Sequence, residues 1–298
     1  MEERKLNINI PEASFRFEAL LERLLPKRVF YKLLLRGKGL EFDGYRDFID
    51  GDDDSSLIDW KATARAGKTL TKQYVEERDI KILFVVDVSE SMIFGSTEKI
   101  KCEYTAELAG ALGRVLLNDP RDRLGYVLYN GDIVKMRMPE PGMKQYESFV
   151  HELSDPANYG GRSDLKNILN SLMDRLDPTI SLIVIISDFN KFDYSTKQQL
   201  EDLGAFLETV AILVKDPLDM TFPDVDREVI FEDPNSKERI LVNPKVAKKL
   251  YEENAKILEK KTRKMLSDSN IENVRVMTDK DFCPDVAMFL KERTERRG

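Results

Sequence analysis

The sequence predicts an α/β protein: a doubly wound, mostly parallel sheet with one antiparallel edge strand, an N-terminal accessory segment and a β-hairpin insertion. Three observations carry this. From residue 80 onward, short apolar runs alternate with stretches of helical period, the pattern of a parallel sheet covered on both faces. The runs IKILFVVD (80–87) and ISLIVIIS (180–187) are nearly continuous, as strands buried on both faces require. Asn130-Gly131 favours a tight hairpin, so the run 132–138 returns antiparallel at a sheet edge.

The elements follow in order. Residues 12–25 have helical period, with Phe15, Ala19, Leu20 and Leu24 on one face, and Pro26 ends the helix. The basic residues Lys27, Arg28, Lys32, Arg36 and Lys38 come next, placed to pair with acids downstream or to dock on an acidic partner or membrane surface. Asp50, Asp52, Asp53 and Asp54 lack the spacing of a calcium loop and read as a polar turn into a helix capped by Ser55 or Ser56. Trp60, the single tryptophan, is expected to anchor this stretch by burial, and 69–76 alternates like a strand. Strand 80–87 leads to helix 97–118, strands 122–129 and 132–138, and helices 143–153 and 164–176. Strand 180–187, helix 195–206 and strand 208–214 follow. Prolines 217, 223 and 234 interrupt 216–243, which reads as a hairpin, before helix 244–268, strand 273–278 and helix 283–294. The domain reading is an accessory segment over 1–78 and an α/β domain over 79–298 with its insertion at 216–243.

Composition narrows the function. Hydrophobic residues make up 42% and charged residues 34% of 298, with no apolar run long enough to span a membrane. The N-terminus lacks the apolar centre of a signal peptide, so a cytoplasmic location is expected. A net charge of −7 argues against nucleic acid as the main partner. His151 is the only histidine, and Cys102 and Cys283 are the only cysteines. This all but excludes histidine-dependent hydrolysis and structural zinc, and leaves two reduced thiols.

The chemistry gathers at strand ends. The run 80–87 stops at Asp87-Val88-Ser89-Glu90-Ser91, which sets a carboxylate and two hydroxyls just past the carboxyl end of a buried strand. Open α/β sheets place ligands there. The loop Gly160-Gly161-Arg162-Ser163 offers a third hydroxyl, and Ser187-Asp188 a second carboxylate at the end of the central strand. Asp164 is assigned to capping the next helix. Asp87, Ser89, Ser91, Ser163 and Asp188 are hard oxygen donors, suited to Mg²⁺, or to Mn²⁺ or Ca²⁺, with water completing the shell.

The order DVSES, GGRSD, SDF resembles the three loops of the metal-ion-dependent adhesion site in von Willebrand factor A domains. Serine at position 163 replaces the usual threonine of the second loop. Beyond these loops, GKGLEF (37–42), Tyr45-Arg46, Gly51 to Asp53, IDWKATAR (58–65) and VKDPLD (214–219) resemble the domain of unknown function 58 family. That resemblance covers roughly residues 30–295. It implies a von Willebrand factor A-like, Rossmann-type fold and an adaptor role beside a MoxR-type AAA+ ATPase.

The expected function is therefore a metal-dependent protein–protein interaction module rather than an enzyme. The partner's Asp or Glu would complete the coordination of the ion. Arg46, Trp60 and Lys61 are candidate partner-binding residues, because charge and aromatic side chains are dense before the sheet begins. Two alternatives stand beside it: a Mg²⁺-dependent phosphohydrolase or nuclease, and a structural protein with a vestigial site. Against the former, the chain has no Walker sequence or second metal cluster.

Overall fold

The computed structural model describes residues 5–24, 40–49, 53, 55–76, 80–117, 120–190, 194–222, 227–232 and 239–296. The chain forms two compact units, residues 35–79 and the remainder. The expected accessory segment 1–78 is thus divided, because its first helix, α1 (Ile10–Leu24), belongs to the larger unit. Pro26 and the basic residues between 27 and 38 lie outside the described residues, as do Asp50, Asp52 and Asp54.

In the smaller unit β1 (Leu40–Asp47) pairs antiparallel with β2 (Leu70–Glu76), with the register shifted between Phe42 and Gly44. Helix α2 (Trp60–Ala66) lies between them in sequence. Its cap is Asp59, not Ser55 or Ser56. The Asp59 carboxylate accepts hydrogen bonds from the Lys61 and Ala62 amides at 3.0 Å each, satisfying two of the helix's orphan donors. Its other oxygen accepts from the Tyr45 hydroxyl at 3.0 Å. Burial of Trp60 is not observed: the residue is 69% exposed. As the first residue of α2 it sits beside the cap, and all seven residues of this short helix are at least partly exposed.

The larger unit is built on a six-stranded sheet. Its strands are β3 (Lys81–Asp87), β4 (Arg123–Tyr129), β5 (Ile133–Pro141), β6 (Leu182–Ser187), β7 (Thr209–Lys215) and, last in the chain, β10 (Glu272–Met277). The spatial order is β10-β7-β6-β3-β4-β5. All pairs are parallel except β4 with β5. Counted within this sheet, the order read from β5 is 3-2-1-4-5-6, the doubly wound order, whose switch point falls between β3 and β6. Every residue of β6, and all of β3 but Lys81, is buried, so the continuous apolar runs are the two strands at the centre.

Helices α3 (Lys101–Leu116), α4 (Met143–Ser154), α5 (Leu165–Met173) and α6 (Lys197–Phe206) cover the faces. The short α7 (Pro217–Met220) and the hairpin of β8 (Val229–Glu232) with β9 (Arg239–Val242) form the insertion. Helices α8 (Pro244–Asp268) and α9 (Phe282–Glu295) flank β10. On one face Phe149 of α4 stacks against Phe84 and Tyr126, with ring centroids 5.1 and 5.2 Å apart. Each aromatic or aliphatic side chain buried this way contributes about 2 kcal/mol of transfer free energy.

Helix α3 is buried almost all round, because α1 packs along its outer side. The α1 face differs from the expected one. Ile10, Ala13, Phe17 and Leu21 are buried, while Phe15 is 74% exposed. The helix starts at Ile10, ahead of the predicted residue 12, and Ile10 is the first residue of the buried stripe. Gly110 of α3 makes room for it, since a Cβ there would meet the Ile10 side chain at 2.6 Å. Two buried carboxylates on α3 fasten the chain ahead of α1. Glu103 accepts the Asn7 amide at 2.7 Å, and Glu107 accepts the Asn9 amide at 2.6 Å and pairs with Lys99.

Candidate functional site

The switch point holds three loops, and backbone hydrogen bonds tie the first to the second and to the end of β4. The Val88 amide donates to Tyr129 O at 2.8 Å, the Gly160 amide to Val88 O at 2.9 Å, and the Glu90 amide to Gly161 O at 2.8 Å. Gly160 and Gly161 take φ values of +139° and +77°, which L side chains rarely adopt. A Cβ on Gly161 would also collide with the Asn130 amide group at 2.8 Å. Asn130 in turn donates to Gly160 O at 2.8 Å. Asp164 caps α5 by accepting the Asn167 amide at 3.0 Å, as expected.

Four of the five predicted donors meet around Asp87. Its Oδ1 accepts the Ser89 amide at 2.9 Å. Its Oδ2 accepts the Ser163 hydroxyl at 3.0 Å and the Ser187 hydroxyl at 2.8 Å. Ser89 Oγ and Ser91 Oγ are 3.2 Å apart. Asp87 and Ser89 are each 1% exposed, below a cleft of about 450 Å³ whose wall includes Ser91, Ser163, Ser187 and Asp188.

The fifth donor, Asp188, lines the same cleft but is already engaged. Lys101 Nζ, at the first turn of α3, donates to its Oδ2 at 2.8 Å, and Asn190 Nδ2 donates to the same oxygen at 3.1 Å. The Asn190 amide donates to Oδ1 at 3.0 Å. Lys101 also pairs with Asp219 Oδ2 at 3.1 Å, and Lys215 Nζ donates to Asn190 Oδ1 at 2.6 Å. Phe189, between Asp188 and Asn190, is buried with φ at +50°, a conformation costing a non-glycine residue about 1 kcal/mol or more.

The two carboxyls therefore differ electrostatically. Burial and the neighbouring Asp188 charge raise the Asp87 carboxyl above its ordinary range. Burial pushes Asp188 the same way, but Lys101 and Lys215 outweigh it and hold Asp188 low. Burial lowers the Lys101 ammonium, yet Asp188 and Asp219 more than compensate and keep it charged. No lysine or arginine among the described residues pairs with Asp87. It is a buried carboxylate whose charge is met only by hydroxyls and one amide.

Lys101, Asn190, Lys215 and Asp219 were not anticipated from the sequence. Lys215-Asp216 did carry the signal that marked Asp87, an apolar strand ending abruptly in charge. Lys101 carried none, because burial of a lysine depends on partners more than eighty residues away in the chain. Of the partner-binding candidates, Arg46 is held bidentate by Asp53, one contact measuring 2.6 Å, while Lys61 and Trp60 are exposed. His151 is exposed on α4, and Cys102 and Cys283 are buried and not joined in a disulfide. Among the described residues, no three His, Cys, Asp or Glu side chains gather so as to hold a metal without hydroxyl help.

Residues 44–261 match the family described as Protein of unknown function DUF58. The chain belongs to the DUF58 family. Uncharacterized proteins of Mycobacterium bovis and Mycobacterium tuberculosis are similar to it, each 26% identical over 269 residues that span 89% of this chain and 82% of theirs. Among solved structures it is similar to BatB, a conserved hypothetical protein from Bacteroides thetaiotaomicron. The identity is 14% and the TM-score 0.49, over 72% of this chain and 99% of that one. It is also similar to a von Willebrand factor type A protein from Catenulispora acidiphila. There the identity is 11% and the TM-score 0.41, over 76% of this chain and 44% of that one. The fold of this DUF58 protein is von Willebrand factor A-like, as its strand order and single antiparallel edge pair state directly. No helix among the described residues is long and apolar enough to cross a membrane.

Proposed function

We propose that this DUF58 protein is a protein–protein interaction module that docks through a divalent cation. The observation that carries the reading is Asp87, a carboxylate 1% exposed, ringed by serines and lacking a cationic partner among the described residues. Asp87, Ser89, Ser91 and Ser163 would hold the ion, and Asp188 would contribute from the adjacent wall. One carboxylate with several hydroxyls fits a hydrated Mg²⁺, with Mn²⁺ or Ca²⁺ as substitutes. A bound ion supplies a Lewis-acidic contact for a partner's carboxylate.

The chain's own residues prepare that contact. Gly160 and Gly161 bring the second loop to the first, and the Asn190 amide and Lys101 fix the Asp188 carboxylate. The cleft exposes Ser91 and Ser163 while keeping Asp87 beneath them. The proposed partner is a MoxR-type AAA+ ATPase presenting an Asp or Glu, and the support for that choice is the family resemblance alone. Pull-down of such an ATPase from the native source with Mg²⁺ present tests the reading. Capture is expected to fail in EDTA and in Asp87→Ala. Equal capture in all three conditions would overturn it.

A further inference from the structure

A second cleft, of about 720 Å³, opens at the β10 edge of the sheet, beside the start of that strand and away from the switch point. Among the described residues strand β10 pairs with β7 alone. The Thr278 amide donates to Lys215 O at 2.9 Å. Backbone groups alternate direction along a strand, so those of Val274 and Val276 also face β7. The N–H and C=O of Asn273 and Arg275 then point outward, and no element among the described residues pairs with them. The two helices wall this edge without covering it. Arg275 reaches Glu259 of α8 at 2.9 Å on one face of the strand, and Arg293 of α9 reaches Glu272 at 2.8 Å on the other.

The walls are charged unequally. The acids lining the cleft are already paired: Glu259 with Arg275, Glu272 with Arg293 and Glu292 with Arg296. Lys256, Lys260 and Lys264 repeat every fourth residue along the exposed side of α8 and have no acidic partner among the described residues. This basic rail stands out on a chain of net charge −7.

The geometry points to strand addition: β10 takes up an extended segment of a partner protein that carries acidic residues at alternate positions. An added strand would pair with the outward groups of Asn273 and Arg275. Side chains alternate across a strand, so every second one would face α8 and meet the lysines. The remaining ones would face α9, where Phe289 lines the cleft. This surface is independent of the metal reading, and EDTA leaves it unaffected.

The test uses the full chain and a fluorescent octapeptide of alternating Glu and Thr, with a Lys/Thr octapeptide as control. Binding of the Glu peptide alone is expected, weakening as salt rises. The triple variant Lys256→Glu, Lys260→Glu, Lys264→Glu changes only exposed side chains and should lower affinity by about tenfold or more. Amide exchange at Asn273 and Arg275 should slow when the peptide is saturating, which simple charge attraction would not produce. No binding at about 1 mM peptide, equal binding by the triple variant, or unchanged exchange at both amides would each overturn the proposal.

Discussion

Asp87 and Asp188 are both carboxylates at the ends of central strands, yet their surroundings give them opposite roles in stability. Asp188 balances Lys101, which is itself 1% exposed. Removing one partner of a buried ion pair strands the other charge and costs about 3 kcal/mol or more. Asp188→Asn should therefore destabilise the metal-free protein by about that amount, tempered by the Asp219 contact that Lys101 keeps. Asp87→Asn removes a buried charge that has no cationic partner among the described residues, so in EDTA it should cost less than about 1 kcal/mol, or stabilise. Urea unfolding of both variants in EDTA checks the contrast; equal losses would show that Asp87 has a counter-charge of its own. The donors of this cluster were legible because three oxygen-rich turns stand together in the order that brings them to one edge of a doubly wound sheet, although each alone would read as a cap. The lysine opposite Asp188 was not, because nothing local distinguishes a buried lysine from the many solvated ones.

Elements were legible where burial is two-sided. β3 and β6 announce themselves as unbroken apolar runs, and the turn at Asn130-Gly131 places β5 at the edge. β1 escaped notice because LEFDGYRD mixes charge with apolar residues and contains a register shift at Gly44. For α1 the element was found but its face was not, since Phe15 and Phe17 both look like core residues and only the docking on α3 and α9 chooses between them. The choice has a measurable consequence. Phe17 is fully buried with its ring 6.0 Å from that of Phe282, so Phe17→Ala should destabilise by about 3–5 kcal/mol. Phe15→Ala, at an exposed position, should fall within about 0.5 kcal/mol of the parent. Thermal or urea unfolding of the pair decides; similar losses would mean that Phe15 is buried in solution.

At the scale of the whole molecule, the sequence suggested one accessory segment before the sheet, and the structure separates two things within it. Helix α1 is part of the larger unit's packing, whereas residues 35–79 form a compact unit of their own. Sequence order conceals this because an inserted unit and a leading helix look alike until contacts across 96 and 98 residues are known, those of the Asn7 and Asn9 amides with Glu103 and Glu107. Two deletions separate the roles. Replacing residues 35–79 with a flexible Gly/Ser linker keeps α1 tethered and leaves the α3 carboxylates satisfied. That variant should unfold cooperatively with near-parental stability of the sheet unit. Deleting residues 1–79 bares the apolar side of α3 and removes one backbone donor from each of two buried carboxylates, Glu103 and Glu107, each loss costing about 1–3 kcal/mol. Together with the burial lost with Ile10, Phe17 and Leu21, about 2 kcal/mol for each side chain, this is comparable to the margin of about 5–15 kcal/mol that a domain commonly has. The second variant should therefore be largely unfolded or aggregated by near-ultraviolet circular dichroism and gel filtration. If both deletions behave alike, α1 and the inserted unit act as one accessory segment and the division fails.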